Sequence, residues 1–109
     1  MRALLVDDER LARTELTRLL DKFPEIEIVS EASNGEEAIN LIEEHKPDLV
    51  FLDIQMPGMT GFEVLEHLHV VPNIIFVTAY DEYALKAFEV NALDYVLKPI
   101  ELSRLEKAI

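Results

Sequence analysis

Residues 49–68 read LVFLDIQMPGMTGFEVLEHL: an apolar run, an aspartate, a turn and an amphipathic segment follow one another directly. The run at residues 49–52 has no polar alternation, which is typical of a strand buried on both faces of a parallel sheet. Apolar residues then recur at helical spacing until a proline stops the pattern, at Gly61, Val64, Leu65, Leu68 and Pro72. The stretch therefore predicts a strand, a loop and a helix.

The same strand-helix unit recurs along the chain of 109 residues. Apolar runs at residues 3–6, 74–77 and 95–97 each predict a strand buried on both faces. Residues 25–28 instead alternate polar and apolar side chains, which suits a strand at the edge of the sheet. Helical patterns lie between and after these runs, at residues 12–23, 34–45, 84–88 and 102–109. The second of them opens with Asn34 and, three residues on, Glu37, which is a capping signature.

Alternation of strands and helices with short connections predicts an α/β fold, with helices on both faces of a five-stranded parallel sheet. The flavodoxin-like, doubly wound strand order 2-1-3-4-5 fits best, because strand two has the pattern of an edge and strands one and three have that of central strands. The length suits one domain over residues 1–109 and not two. The fifth helical pattern covers about two turns, less than the usual ~11–12 residues, so we expect a truncated helix in a domain cut from a longer protein.

Composition excludes several classes of function. The net charge of −12, from 22 acidic and 10 basic residues, disfavours nucleic acid and anionic lipid and favours a metal cation or a basic protein partner. The absence of cysteine excludes disulfides, thiol catalysis and thiolate metal sites. No apolar stretch approaches the roughly 18 residues of a membrane span, and the N-terminal residues lack a signal peptide's pattern. We therefore expect a cytoplasmic protein with no membrane contact.

Polar residues that can do chemistry follow the predicted strands. In doubly wound sheets ligands bind outside the carboxyl ends of the strands, and there the sequence has Asp7, Asp8, Asp53, Thr78 and Lys98. Clustered carboxylates favour a hard cation such as Mg²⁺, and an aspartate can be a nucleophile that forms an acyl phosphate. A lysine and a hydroxyl can stabilise the charge of a transferring phosphoryl group. Each residue alone is a common cap or turn residue, whereas their joint placement at one edge indicates a phosphoacceptor site.

Residues 49–61, with Asp7-Asp8, Thr78-Ala79 and Lys98-Pro99, resemble the signature of response-regulator receiver domains from two-component systems. The resemblance spans essentially the whole chain. It implies a switch, not an enzyme, that accepts a phosphoryl group from a sensor histidine kinase and takes part in its own phosphotransfer and dephosphorylation. The implied phosphoacceptor is Asp53, and the implied Mg²⁺ ligands are Asp7 (largely through water), Asp8, Asp53 and the backbone carbonyl of Gln55.

The same resemblance implies roles for residues at the later strand ends. Thr78 and Lys98 would each bind a phosphoryl oxygen. Thr78 and Tyr95 would form the conformational switch, and the bond between Lys98 and Pro99 would be a cis peptide, a form that is disfavoured even for proline.

A narrower resemblance lies in residues 76–88 and 91–95, which are similar to receivers of LytTR-class transcription regulators. In that class a separate C-terminal domain binds DNA, so DNA binding would belong to an output domain absent from this chain. The signal would pass through the face formed by residues 84–88, 94–97 and 102–109. That face mixes apolar and charged side chains, which suits a modest two-fold homodimer.

Two alternatives share parts of this pattern. A Mg²⁺-dependent phosphohydrolase would also use an aspartyl phosphate, but such enzymes carry a second aspartate two residues after the nucleophile, where this chain has Gln55. They also carry an inserted cap domain, for which the chain has no spare length. A degenerate receiver that serves only for protein contact is the other alternative, and the intact set of motif residues argues against it.

Overall fold

Strands and helices alternate without exception in the computed structural model, which describes all residues 1–109. The strands are β1 (Arg2–Val6), β2 (Glu27–Ala32), β3 (Leu49–Leu52), β4 (Asn73–Thr78) and β5 (Asp94–Leu97). The helices are α1 (Arg10–Leu20), α2 (Gly35–His45), α3 (Gly61–Glu66), α4 (Ala84–Glu89) and α5 (Leu102–Ala108). All strand pairs are parallel and the order is β2-β1-β3-β4-β5, which confirms the predicted flavodoxin-like sheet.

Two hydrophobic cores lie on opposite faces of the sheet, because successive side chains of a strand point to opposite sides. On one face, Val50 and Leu52 of β3 pack with residues of α2, α3 and α4. On the other face, Leu49 and Phe51 of the same strand pack with residues of α1 and α5. Every residue of β3 is therefore buried, as the unbroken apolar run predicts.

Capping residues fix where α2 and α3 begin. The side chain of Asn34 accepts a hydrogen bond from the Glu37 N–H at 2.8 Å, which confirms the predicted start of α2. Thr60 and Glu63 form a reciprocal capping box at the start of α3. The next residue, Gly61, approaches the loop after β3 so closely that a Cβ there would lie 2.4 Å from the Asp53 carbonyl oxygen. Glycine at this position therefore lets α3 start directly beneath the proposed phosphoacceptor.

Three sequence-based expectations differ from the structure. Strand β2 is an edge strand as predicted, but it begins at Glu27, two residues later than its alternating pattern. Strand β5 lies at the other edge, as the predicted order requires, but its apolar run predicts burial on both faces whereas its Leu97 is exposed. The apolar residues that marked α4 do not face the core, since Leu85 is 72% exposed and Phe88 79% exposed. Burial of α4 rests on Ala87 instead.

None of the five helices combines the length and the apolar character that a membrane crossing requires.

Candidate functional site

Three carboxylates meet at the carboxyl edge of the sheet. Asp7 and Asp8 follow β1, and Asp53 follows the neighbouring β3, so the parallel pairing of these strands brings the three residues together. One oxygen of each carboxylate lies within 4.8 Å of the others. Asp7 and Asp53 are buried, with 7% and 5% of their surface exposed, whereas Asp8 is open to solvent. The cluster therefore has a buried floor and one accessible side.

Lys98 brings the only nearby ammonium group to this cluster. Its Nζ atom donates to Asp7 Oδ2 at 2.6 Å and to Asp53 Oδ2 at 3.2 Å. The backbone positions it, because the Lys98 N–H donates to the Thr78 carbonyl at 2.8 Å and the Lys98–Pro99 peptide bond is cis. One lysine is thus shared between two buried carboxylates.

Burial and charge act in opposite directions on these groups. Burial raises the pKa of the Asp53 carboxyl above its ordinary value, the Lys98 charge lowers it, and the Asp7 charge raises it further, so the net shift is upward. For Lys98, burial alone would lower the pKa, but the hydrogen bond that Lys98 donates to Asp7 and the charges of Asp53 and Asp7 raise it above the ordinary value. Lys98 therefore stays charged, and it does not fully compensate the repulsion between the acids.

The donor set fits a hard divalent cation. Three clustered carboxylates supply only oxygen ligands, and Mg²⁺ is bound in proteins by one or two carboxylates together with water and phosphate oxygens. Two of the carboxylates are already oriented by backbone donors: Asp7 Oδ1 accepts from the Glu9 N–H at 2.9 Å, and Asp53 Oδ1 accepts from the Ile54 N–H at 2.7 Å. Lys98 balances only part of the negative charge, so a cation would relieve the repulsion that remains.

Thr78 and Tyr95 are linked through the loop after β4. The Thr78 side chain is fully buried, and its hydroxyl accepts from the Tyr80 N–H at 3.3 Å. The Tyr95 hydroxyl donates to the carbonyl of the same Tyr80, while its ring lies 6.4 Å from that of Phe76. Both residues of the expected switch, one at the end of β4 and one on β5, therefore contact the same loop residue, Tyr80.

Two residues that the sequence analysis did not single out also contact the site. The Tyr83 hydroxyl accepts a hydrogen bond from Gln55 Nε2 at 2.5 Å, which joins the loop after β3 to the start of α4. Arg13 donates from Nη1 to the Asp7 carbonyl at 2.7 Å. A signal for Arg13 was present, because a cation in the first turn of a helix opposes the helix dipole and so conflicts with local preference.

The largest cavity, about 540 Å³, lies elsewhere, beside Met1, Phe23 and Ile109. A second cavity, about 480 Å³, lies between the end of α2 and the segment before β4. It is lined by residues such as Ile42, Lys46 and Pro72, and neither cavity contains any of the clustered aspartates. Cavity size therefore does not identify the functional site in this molecule, and the convergence of charged groups does.

Comparisons with known proteins agree with this geometry. A family model described as the response regulator receiver domain matches residues 3–109. The crystal structure of the response regulatory domain of mrkE from Klebsiella pneumoniae superposes with a TM-score of 0.89 at 35% identity, covering 99% of this chain and 91% of that one. The receiver domain of AraT from Geobacillus stearothermophilus gives a TM-score of 0.85 at 34% identity, covering 97% and 87% of the two chains.

Full-length relatives have similar sequences over this chain. An uncharacterized response regulatory protein of Vibrio cholerae is 53% identical over 98% of the chain and 46% of its own length. The transcriptional regulatory protein BtsR of Salmonella typhi is 51% identical, and the sensory transduction protein LytT of Bacillus anthracis 48% identical, each over 100% of this chain and 46% of the relative. The chain thus spans about half the length of the curated relatives it matches.

Proposed function

This chain belongs to the response regulator receiver domain family, and from that membership we propose that it is a phosphorylation-activated switch whose phosphoacceptor is Asp53. One observation carries the proposal: the Asp53 carboxylate is buried beside two further carboxylates and one lysine at the carboxyl edge of the sheet. Receivers interact with histidine kinases and output domains, and we propose a sensor histidine kinase as the donor for this chain.

In the proposed reaction, one carboxylate oxygen of ionised Asp53 forms a bond to the phosphorus of the donor. The bond between phosphorus and the donor breaks, and its electron pair leaves with the donor, as the imidazole of a phosphohistidine or the acetate of acetyl phosphate. The product is an acyl phosphate on Asp53. Water later attacks the phosphorus, which restores the carboxylate and releases inorganic phosphate, so no separate substrate is turned over.

Asp7, Asp8, Asp53 and the Gln55 backbone carbonyl would hold Mg²⁺ at the accessible side of the cluster. When bound, the ion supplies positive charge beside the phosphoryl oxygens. Lys98 would then exchange its contact with Asp53 Oδ2, 3.2 Å long, for a phosphoryl oxygen, while keeping the shorter contact to Asp7. Thr78 would offer its hydroxyl to another phosphoryl oxygen.

Signal output would begin at Thr78. A shift of its hydroxyl toward the phosphoryl group would pull the Tyr80 N–H that it accepts from, and Tyr95 donates to the carbonyl of that same Tyr80. The switch would therefore reach β5 through one shared residue. The responding surface would be the face formed by α4, β5 and α5, and its proposed occupant is a second copy of this chain.

The similarity to LytT and BtsR supports a role in transcription regulation. DNA binding would reside in an output domain outside residues 1–109, since this domain itself carries a net charge of −12. The cytoplasmic location expected from the sequence belongs to the same proposal.

Labelling with acetyl phosphate tests the assignment. Incubation with Mg²⁺ should add one phosphoryl group, seen by intact-mass spectrometry, and Asp53→Asn should abolish the addition because an amide is not a nucleophile of this kind. The matched control is Asp21→Asn, an exposed aspartate at the end of α1 that should keep full labelling. Equal labelling of the parent and Asp53→Asn would contradict the assignment, and continuous phosphate release from simple phosphomonoesters would favour a phosphohydrolase.

A further inference from the structure

Arg13 joins three secondary-structure elements beside the carboxylate cluster. It lies in the first turn of α1, and only 15% of its side chain is exposed. Its Nη1 atom donates to the Asp7 carbonyl at 2.7 Å, and its Nε atom donates to Glu31 Oε1 of β2 at 3.0 Å. The guanidinium therefore connects α1 and β2 to the loop that follows β1.

This placement runs against the preference of a free helix. The first turn of a helix favours acidic side chains, and burial of a guanidinium is costly unless its donors are satisfied. Arg13 meets that condition by a fixed geometry, in which two different nitrogen atoms serve two different acceptors. A lysine has a single nitrogen on a flexible stem, so it cannot reproduce this fork.

Asp7 forms hydrogen bonds at four atoms, one of which is its N–H, which donates to the Ala32 carbonyl at 3.1 Å. Its carbonyl accepts from Arg13 at 2.7 Å, its Oδ1 from the Glu9 N–H at 2.9 Å, and its Oδ2 from Lys98 at 2.6 Å. The side-chain contacts fix the direction of the carboxylate. The Ala32 contact holds the backbone on the N-terminal side of Asp7, and the Arg13 contact holds the carbonyl that leads into the adjacent Asp8.

We propose that Arg13 is a positioning residue for the cation site, which presets the Asp7-Asp8 backbone by binding the Asp7 carbonyl and is itself oriented by Glu31. This inference rests on the proposed Mg²⁺ role of Asp7 and Asp8. Partners that orient metal ligands from outside the ligand set typically change metal affinity about 10–100-fold when they are removed.

Two substitutions at Arg13 separate positioning from charge. Arg13→Gln removes a positive charge near the acids, so a purely electrostatic role predicts tighter Mg²⁺ binding, whereas positioning predicts binding weaker by about tenfold or more. Arg13→Lys keeps the charge but loses the two-nitrogen contact. Positioning predicts weaker Mg²⁺ binding in this variant too, whereas a purely electrostatic role predicts unchanged binding. Glu31→Gln keeps Arg13 intact and should weaken binding to a smaller extent.

The measurement is the Mg²⁺ dissociation constant, obtained from the amide NMR shifts of residues 7–9 and 53–55, with the dispersion of the metal-free spectrum showing that each variant is folded. The matched control is Arg18→Gln on the same helix. Arg18 is exposed and pairs with the exposed Glu15 instead of the Asp7 carbonyl, so the dissociation constant of this variant should equal that of the parent.

Weaker binding in both Arg13 variants with an unchanged control supports the proposal. Unchanged or tighter binding in Arg13→Gln would overturn it while leaving the metal site intact. A parent chain that shows no Mg²⁺-dependent shifts would overturn the metal site itself, and with it this role of Arg13.

Discussion

At the level of single residues, Lys98 contacts Asp7 and Asp53 at different distances. The Lys98 ammonium lies 2.6 Å from Asp7 and 3.2 Å from Asp53, so its interaction with Asp53 is the weaker of the two. Burial is the main reason that the pKa of Asp53 lies above its ordinary value, and the charge of Asp7 adds to it. Of the two carboxylates that contact Lys98, Asp53 therefore has the longer contact in the metal-free fold, which agrees with its proposed role as the phosphoacceptor.

Replacement of Asp53 should consequently stabilise the metal-free protein. A carboxyl with a raised folded-state pKa disfavours folding when it is ionised, and Asp53→Asn removes that charge while Lys98 keeps its contact with Asp7. We expect a higher Tm at neutral pH, by roughly 4–8 °C for each kcal/mol gained in a domain of about 100 residues.

The stability gained by Asp53→Asn should depend on pH. The advantage of Asp53→Asn should be complete above the raised pKa of Asp53 and should disappear as the pH falls to the ordinary carboxyl value, where the residue is protonated in both states. Thermal melts of both proteins across that range, without divalent cations, measure it. A variant less stable than the parent at pH 7 would show that Lys98 compensates Asp53 more than the geometry indicates.

At the level of elements, α5 is joined to β5 by one ion pair in addition to the packing of the buried Leu105. Arg104 of α5 donates to both oxygens of Asp94, at 3.0 and 2.6 Å, and to the Tyr95 carbonyl at 3.0 Å. The hydrogen bond from Arg104 is the main reason that the pKa of Asp94 lies below its ordinary value. Asp94 and Arg104 lie on the face for which the sequence predicts a homodimer contact. In the structure these two charges form an ion pair within the chain.

Removal of this pair should loosen α5. Arg104→Gln is expected to lower the free energy of unfolding by about 1 kcal/mol or less, because the two side chains remain 38% and 27% exposed and solvent screens them. Asp94 has a lowered folded-state pKa, so its contribution is present above the ordinary carboxyl pKa and is lost as the pH falls through the folded value.

Urea unfolding at pH 7 and at acidic pH measures this difference. The gap between parent and Arg104→Gln should narrow at acidic pH. Arg18→Gln, which breaks the more exposed Arg18–Glu15 pair on α1, is the matched control and should have a smaller effect. An identical effect of the two substitutions would mean that the contact to the Tyr95 carbonyl contributes nothing.

At the level of the whole molecule, exposed apolar residues gather on the elements next to β5. Leu85 and Phe88 on α4, Leu93 before β5 and Leu97 on β5 are 72%, 79%, 56% and 43% exposed. Because exposed apolar patches mark contact surfaces, we expect these neighbouring elements to form one. The net charge of −12 opposes association of two copies, so a modest change in this surface is enough to shift the balance.

We therefore expect the phosphoryl mimic beryllofluoride, added with Mg²⁺, to increase self-association measured by sedimentation at about 0.15 M salt, where charge repulsion is screened beyond about 8 Å. Phe88→Ala should abolish the increase, because it removes the most exposed aromatic side chain of the face. Leu11→Ala is the control, since Leu11 is 81% exposed but lies on α1, which is not part of the surface formed by α4, β5 and α5. Monomeric protein in all conditions would exclude this output route.

The amino-acid sequence by itself determined the order of the elements, the parallel sheet and the positions of the site residues along the chain. Unbroken apolar runs report burial on two faces, and short connections leave little choice of strand order. Residues that directly follow neighbouring parallel strands must meet at one edge, so Asp7, Asp8 and Asp53 were predictable as a cluster. Their roles in phosphorylation and metal binding remain predictions.

The tertiary structure alone decided which faces of the helices and strands are covered by other elements. It also decided which side chains contact the same charged group. Periodicity gives the face of an element on which apolar residues lie, but coverage depends on neighbours that are distant in sequence. For this reason Leu97 of β5 is exposed despite its apolar run, and Leu85 and Phe88 point away from the core. Likewise, Lys98 is shared by two acids, and Arg13 reaches Asp7 and Glu31, because folding brings together elements whose spacing in sequence carries no information about side-chain contacts.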